Sequence, residues 1–104
     1  MWYNSLMNII TSKSNNGIKK VKKLHQKKYR TDSYLIEGWH LYEEAVNHQA
    51  PIEQVFVLEE FVDKIKVDAK VTIVTPEVLS EITDSKSPQG IVAEIKIQPI
   101  QHLQ

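Results

Sequence analysis

Val55-Phe56-Val57-Leu58 constrains this chain more than any other segment. Four consecutive apolar residues need cover on both faces, as a strand inside a sheet receives when helices pack on each side. The rest of the sequence supplies candidates for that cover. Ser12, Ser14, Asn15 and Asn16 offer side-chain acceptors for a helix start, and Ile18, Val21, Leu24 and His25 then recur at helical spacing. This predicts a first helix over residues 16 to 28 with one narrow apolar stripe. Tyr34-Leu35-Ile36 reads as a short buried strand, and Glu37-Gly38 leads into a second helix over residues 39 to 48 with Leu41, Tyr42, Ala45 and Val46 inward. After the 55 to 58 run come a short acidic helix near residues 59 to 66 and a strand over 71 to 74. A helix with Pro76 at its first position then runs to about Ile82. A polar loop over 83 to 90 precedes a last strand in which Ile91, Ala93, Ile95 and Ile97 alternate with Val92, Glu94 and Lys96. The order α-β-α-β-α-β-α-β predicts an α/β fold, a three-layer α/β/α sandwich with one sheet.

A chain of 104 residues has room for one such core, and 41% hydrophobic with 25% charged residues is the composition of a folded globular domain. The domain is expected over residues 9 to 98. Residues 1 to 8 read as an N-terminal extension, with Met7 a second possible start, and 99 to 104 as the start of a linker. The chain has no cysteine, which excludes disulfides, cysteine-zinc sites and thiol catalysis. It also lacks a signal-peptide pattern and any apolar run of the roughly 18 residues that span a membrane. A cytoplasmic protein without a membrane partner is expected.

The net charge of zero conceals a segregation. Residues 1 to 31 hold eight basic side chains (Lys13, Lys19, Lys20, Lys22, Lys23, Lys27, Lys28 and Arg30) and no acid; the remainder holds five basic and thirteen acidic residues. A local field of this kind attracts polyanions even on a neutral molecule, although many lysine-rich helix faces simply stay solvated. Lys19, Lys23 and Lys27 are four apart on the predicted helix, and Lys20 and Lys22 broaden the cationic surface. Like charges at this spacing cost helix stability, so stability alone does not account for them.

Other chemistries find no support. Gly17, Gly38 and Gly90 are isolated, so no phosphate-binding glycine loop can be written, and His25, His40, His48 and His102 match no metal spacing. Asp84, Ser85 and Ser87 read as turn residues rather than a nucleophile site, and adjacent Glu43 and Glu44 point in different directions on a helix.

Several strings carry a family resemblance. They are Ser12, Asn15, Ile18 and Lys19 in an S-x-x-N-x-x-I-K opening, then Lys28-Tyr29-Arg30 followed by Glu37-Gly38, and Pro88-Gln89-Gly90. With Leu24, Leu35-Ile36, His40 and Pro76-Glu77-Val78-Leu79, the chain resembles the N-terminal substrate-binding domain of the SpoU/TrmH RNA methyltransferases over about residues 9 to 97. The resemblance implies the α/β/α fold of certain ribosomal and kink-turn-binding proteins. It also implies a parent that transfers methyl from S-adenosylmethionine to a ribose 2′-hydroxyl of rRNA or tRNA, and that usually dimerises through a C-terminal knotted domain. That domain, with its catalytic arginine and cofactor loops, is expected beyond the P-Q-G strand, so no catalytic, cofactor or metal residue is assigned here.

For this part the resemblance implies RNA binding and presentation. Lys19, Lys23, Lys27 and Lys28 would neutralise phosphates without reading sequence. Arg30 is the first choice for a specific contact, because guanidinium grips phosphate bidentately or stacks on an unpaired base. Ser12 and Asn15 are candidate hydrogen-bonding residues for RNA, with helix capping the competing role. Tyr29 is a stacking candidate or a core residue, and Glu37 and Gly38 are expected to shape a turn. The alternatives are a free-standing ribosomal or kink-turn-type RNA-binding module, and a dimerisation or protein-interaction domain whose basic face meets an acidic partner.

Overall fold

A computed structural model describes residues 7–13, 15–26, 32–83 and 89–97. Five strands form one mixed sheet: β1 (Met7–Ile10), β2 (Ser33–Glu37), β3 (Ile52–Leu58), β4 (Lys70–Val74) and β5 (Ile91–Lys96), in the spatial order β1-β4-β3-β5-β2. β1, β4 and β3 run parallel, and β5 lies antiparallel between β3 and β2. Helices α1 (Asn16–Lys22), α2 (Trp39–Asn47) and α3 (Pro76–Ile82) supply the outer layers.

The sheet is covered on both faces, as the apolar run requires. On one face Ile18 and Val21 of α1 and Val78, Leu79 and Ile82 of α3 pack on Phe56, Val74 and Val92. On the other, Tyr42 of α2 and the 3-10 segment Glu59–Lys64 cover Val55, Val57, Val71, Ile91, Ala93 and Ile95. Val55 and Val57 are 0% exposed, which puts the 55 to 58 run in the middle of the sheet. α3 starts as its sequence predicts: Pro76 opens it, and the Thr75 hydroxyl accepts the Val78 amide at 3.2 Å.

Five details differ from the sequence reading. β1 is an additional parallel edge strand pairing Met7 through Ile10 with Val71 through Val74, so the sheet takes in Met7 and Asn8, which the sequence assigns to an extension. The first helix stops at Lys22 instead of residue 28 and tightens into a 3-10 turn over Lys23–His25, after which Gln26 is extended. The cause is tertiary: His25 Nε2–H donates to the carbonyl oxygen of Ile82 at 2.7 Å, tying the turn to the end of α3. The expected acidic helix is only the 3-10 segment. Leu41 is 45% exposed rather than inward, because Trp39, Tyr42, Ala45 and Val46 form the packed side of α2. Tyr34 is 40% exposed because β2 lies at the sheet edge, whereas Val92 is fully buried because β5 lies inside it.

Candidate nucleic-acid interface

α1 begins at Asn15, whose side-chain Oδ1 accepts the amides of Gly17 at 2.7 Å and Ile18 at 3.2 Å. This satisfies two of the orphan donors of the first turn. Asn15 is therefore a helix cap, with its side-chain NH2 left for other work. Ser12 lies one turn earlier, is exposed, and its carbonyl accepts the Asn15 amide at 3.2 Å.

Burial of Ile18 and Val21 against the sheet turns the lysines of α1 outward, and they divide three ways. Lys22 faces α3 and pairs with Glu81 at 2.8 Å. The Lys22 ammonium, by hydrogen bond and by charge, holds the Glu81 carboxyl below the ordinary glutamate value. Lys22 is thus partly neutralised, although its side chain stays exposed. Lys20 and Lys23 flank a cleft of about 540 Å³ between α1 and the sheet, and Lys19 is exposed on the helix surface. Lys27, Lys28, Tyr29 and Arg30 lie outside the described residues, as do Asp84, Ser85, Ser87 and Pro88.

Two of the motifs that carry the resemblance meet in space. Gly38 adopts φ +97° before α2, and its amide donates to the Ile91 carbonyl at 3.2 Å. The Trp39 amide donates to Gln89 Oε1 at 3.2 Å, and the indole N–H donates to the Gln89 carbonyl at 2.8 Å. Gly90, at φ +92°, sits where a Cβ would lie 2.6 Å from the Phe61 ring. The E-G and Q-G pieces therefore lock the start of α2 to the start of β5. Glu37 Oε2 also lies 3.9 Å from His25 Nε2, beside the 3-10 turn.

The cleft floor holds residues that sequence reasoning missed. Ser33 Oγ donates to Glu94 Oε2 at 2.5 Å, and Gln54 Nε2 donates to Glu94 Oε1 at 2.6 Å. Lys70 and the buried Thr72 complete this polar floor. The one sequence signal was Glu94, a carboxylate between the apolar residues Ala93 and Ile95 of the last strand. Among the described residues there is no group of three or more His, Asp or Glu that could hold a metal, and no helix long and apolar enough to cross a membrane.

These features coincide with one family: its model, the MRM3-like substrate binding domain, matches residues 15–93. The chain belongs to that family. It is 33% identical over 91 residues to the 23S rRNA (guanosine(2553)-2′-O)-methyltransferase RlmP of Bacillus subtilis (strain 168), a match covering 84% of this chain and 37% of RlmP. A crystal structure of an rRNA methyltransferase from Sinorhizobium meliloti superposes with a TM-score of 0.76 at 26% identity, covering 89% of this chain and 38% of that one. The SpoU methyltransferase AviRb from Streptomyces viridochromogenes, in complex with AdoMet, shares the fold with a TM-score of 0.69 at 17% identity, covering 82% and 36%. The chain thus spans less than two fifths of these relatives, and it is their substrate-binding domain that it matches. The SpoU/TrmH resemblance and the α/β/α sandwich read from the sequence are both borne out.

Each of the three glycines is packed against a neighbouring side chain. Gly17 sits against its own capping residue, where a Cβ would lie 3.0 Å from Asn15 Oδ1, Gly38 against Gln89 and Gly90 against Phe61.

Proposed function

We propose that this chain is the RNA-holding, substrate-presenting domain of an S-adenosylmethionine-dependent rRNA 2′-O-ribose methyltransferase. The observation that carries this reading is the segregation of charge: the first 31 residues hold eight basic side chains and no acid, and on α1 Lys19 and Lys20 are exposed while Lys22 pairs with Glu81. Membership of a substrate-binding family, and relatives named as rRNA methyltransferases, support RNA as the polyanion.

In this reading the domain contributes affinity and orientation. Lysine ammoniums displace counterions from phosphates, which holds RNA without reading its sequence. Arg30, in the segment that follows the 3-10 turn, and Lys27 and Lys28 extend the same basic stretch, with Ser12 and the Asn15 NH2 as hydrogen-bonding neighbours. AdoMet belongs to a catalytic domain of the parent, which pairs with a second copy through that domain in the cytoplasm. By itself the chain holds RNA and transfers no methyl group.

The test is charge reversal. Lys19→Glu, Lys23→Glu and Lys27→Glu together should weaken binding to every RNA tried, structured or single-stranded, by more than tenfold at low salt, as expected when about three phosphate contacts are lost. Affinities unchanged by the triple substitution overturn the reading. Unchanged RNA binding with lost binding to an acidic protein would favour a protein-interaction role instead.

A further inference from the structure

The face of the sheet that carries α1 is divided across its width. Leu35, Phe56 and Val92 lie under or beside α1 and α3, whereas two residues away along the same strands stand Ser33, Gln54 and Glu94, with Lys70 on the next strand. α1 is only seven residues long and packs Ile18 and Val21 on the apolar part of this face, so the polar row lines a cleft beside it, with Ser33 buried and Gln54 and Glu94 half-buried. The row is the floor of the 540 Å³ cleft whose other wall carries Lys20 and Lys23.

The charges of the cleft narrow what it takes. Lys20, Lys23 and Lys70 are balanced there by Asp32, Glu53 and Glu94. A bare phosphate cluster gains little from such a mixture, while a ligand with one anionic group and several N–H donors suits it. Glu94 is the specific feature. An ionised carboxylate offers about four acceptor positions over its two oxygens. Ser33 takes one at Oε2 and Gln54 one at Oε1, fixing the group in place and leaving a position free at each oxygen. Two adjacent acceptors match two adjacent N–H donors. Among the RNA bases only guanine presents such a pair, N1–H and N2–H, on its Watson–Crick edge. Unpaired bases are the ones whose edges proteins read in RNA.

We infer that the cleft between α1 and the sheet is a single-nucleotide site for an unpaired guanine, with its Watson–Crick edge on Glu94 and its phosphate against Lys20. This rests on the reading that the chain holds RNA, and adds to it a preference for one base.

The test titrates the 104-residue chain with fluorescent RNA pentamers UUGUU, UUAUU, UUCUU and UUUUU at low salt. UUGUU should bind about tenfold more tightly than the other three, the discrimination of one bidentate base contact. Glu94→Gln, which replaces one acceptor by a donor, should erase the difference between UUGUU and the other three pentamers. Equal affinity of the wild-type chain for all four pentamers overturns the guanine site while leaving RNA holding intact, and needs no variant to fold. A guanine preference that survives Glu94→Gln in a folded variant, checked by circular dichroism, also overturns it. Failure of every pentamer and of structured RNA to bind removes the RNA reading itself.

Discussion

At position 15 two demands fall on one side chain. The cap uses Asn15 Oδ1, while the RNA reading would use its NH2, so the two roles can be separated by chemistry. Asn15→Ala removes both and should cost about 1 kcal/mol of stability, the usual value of an N-cap. Asn15→Ser keeps an acceptor for Gly17 and Ile18 but has no NH2. Urea unfolding should find it within a few tenths of a kcal/mol of wild type, since Ser and Asn cap about equally well. RNA affinity measured on that variant then reports the NH2 alone, and a severalfold loss at unchanged stability is the outcome expected of a contact. Gly90 poses a simpler question. Its φ of +92° and the Phe61 ring 2.6 Å from a would-be Cβ both oppose any side chain. Gly90→Ala should therefore destabilise by about 2 to 3 kcal/mol, adding backbone strain to overpacking. A urea midpoint equal to wild type would show that Phe61 moves aside without cost.

Among the elements, α1 and α3 are coupled at two points, Lys22 to Glu81 and His25 to the last turn of α3. The first has a definite pH signature. Because Lys22 holds the folded Glu81 carboxyl below its ordinary value, the pair stabilises above the ordinary glutamate range. That contribution is lost as pH falls through the lowered value. The stability difference between wild type and Glu81→Gln should therefore be constant near neutrality and vanish on acidification. A difference that persists in acid would mean the glutamate acts through packing. The same variant releases Lys22, so the slope of log affinity for RNA against log salt should steepen by about one. The two couplings also explain which elements could be read from the sequence. β3 and α3 were legible because an apolar run and a Thr-Pro start are local signals. The end of α1 was not, because nothing in Lys23 to Lys28 breaks a helix; His25 does so by reaching a carbonyl 57 residues away. β1 was missed for a related reason: Asn8-Ile9-Ile10 is too short to declare itself, and its strand is defined by pairing with β4.

For the whole molecule, the sheet order decides what the sequence order hides. Ser33 and Glu94 are 61 residues apart and Gln54 and Glu94 are 40 apart, yet β2, β5 and β3 are neighbours, so the three meet on one floor. Charge follows the same logic. Eight basic residues precede residue 32 and Lys22 pairs with Glu81 of α3, so the salt dependence of RNA binding asks how many of the other seven take part. For single-stranded RNA each neutralised phosphate contributes about −0.7 to the slope of log affinity against log salt. Were all seven engaged, the slope would be about −5, and raising salt from 50 to 200 mM would lower affinity by about a thousandfold. If only the described Lys19, Lys20 and Lys23 take part, the slope falls to about −2 and the same change costs about twentyfold. The slope therefore measures how much of the basic stretch beyond the 3-10 turn touches RNA. We expect the steeper value, because Arg30, Lys27 and Lys28 continue the stretch without an intervening acid before Asp32. A slope near zero would mean that the segregated charge is a solvated face.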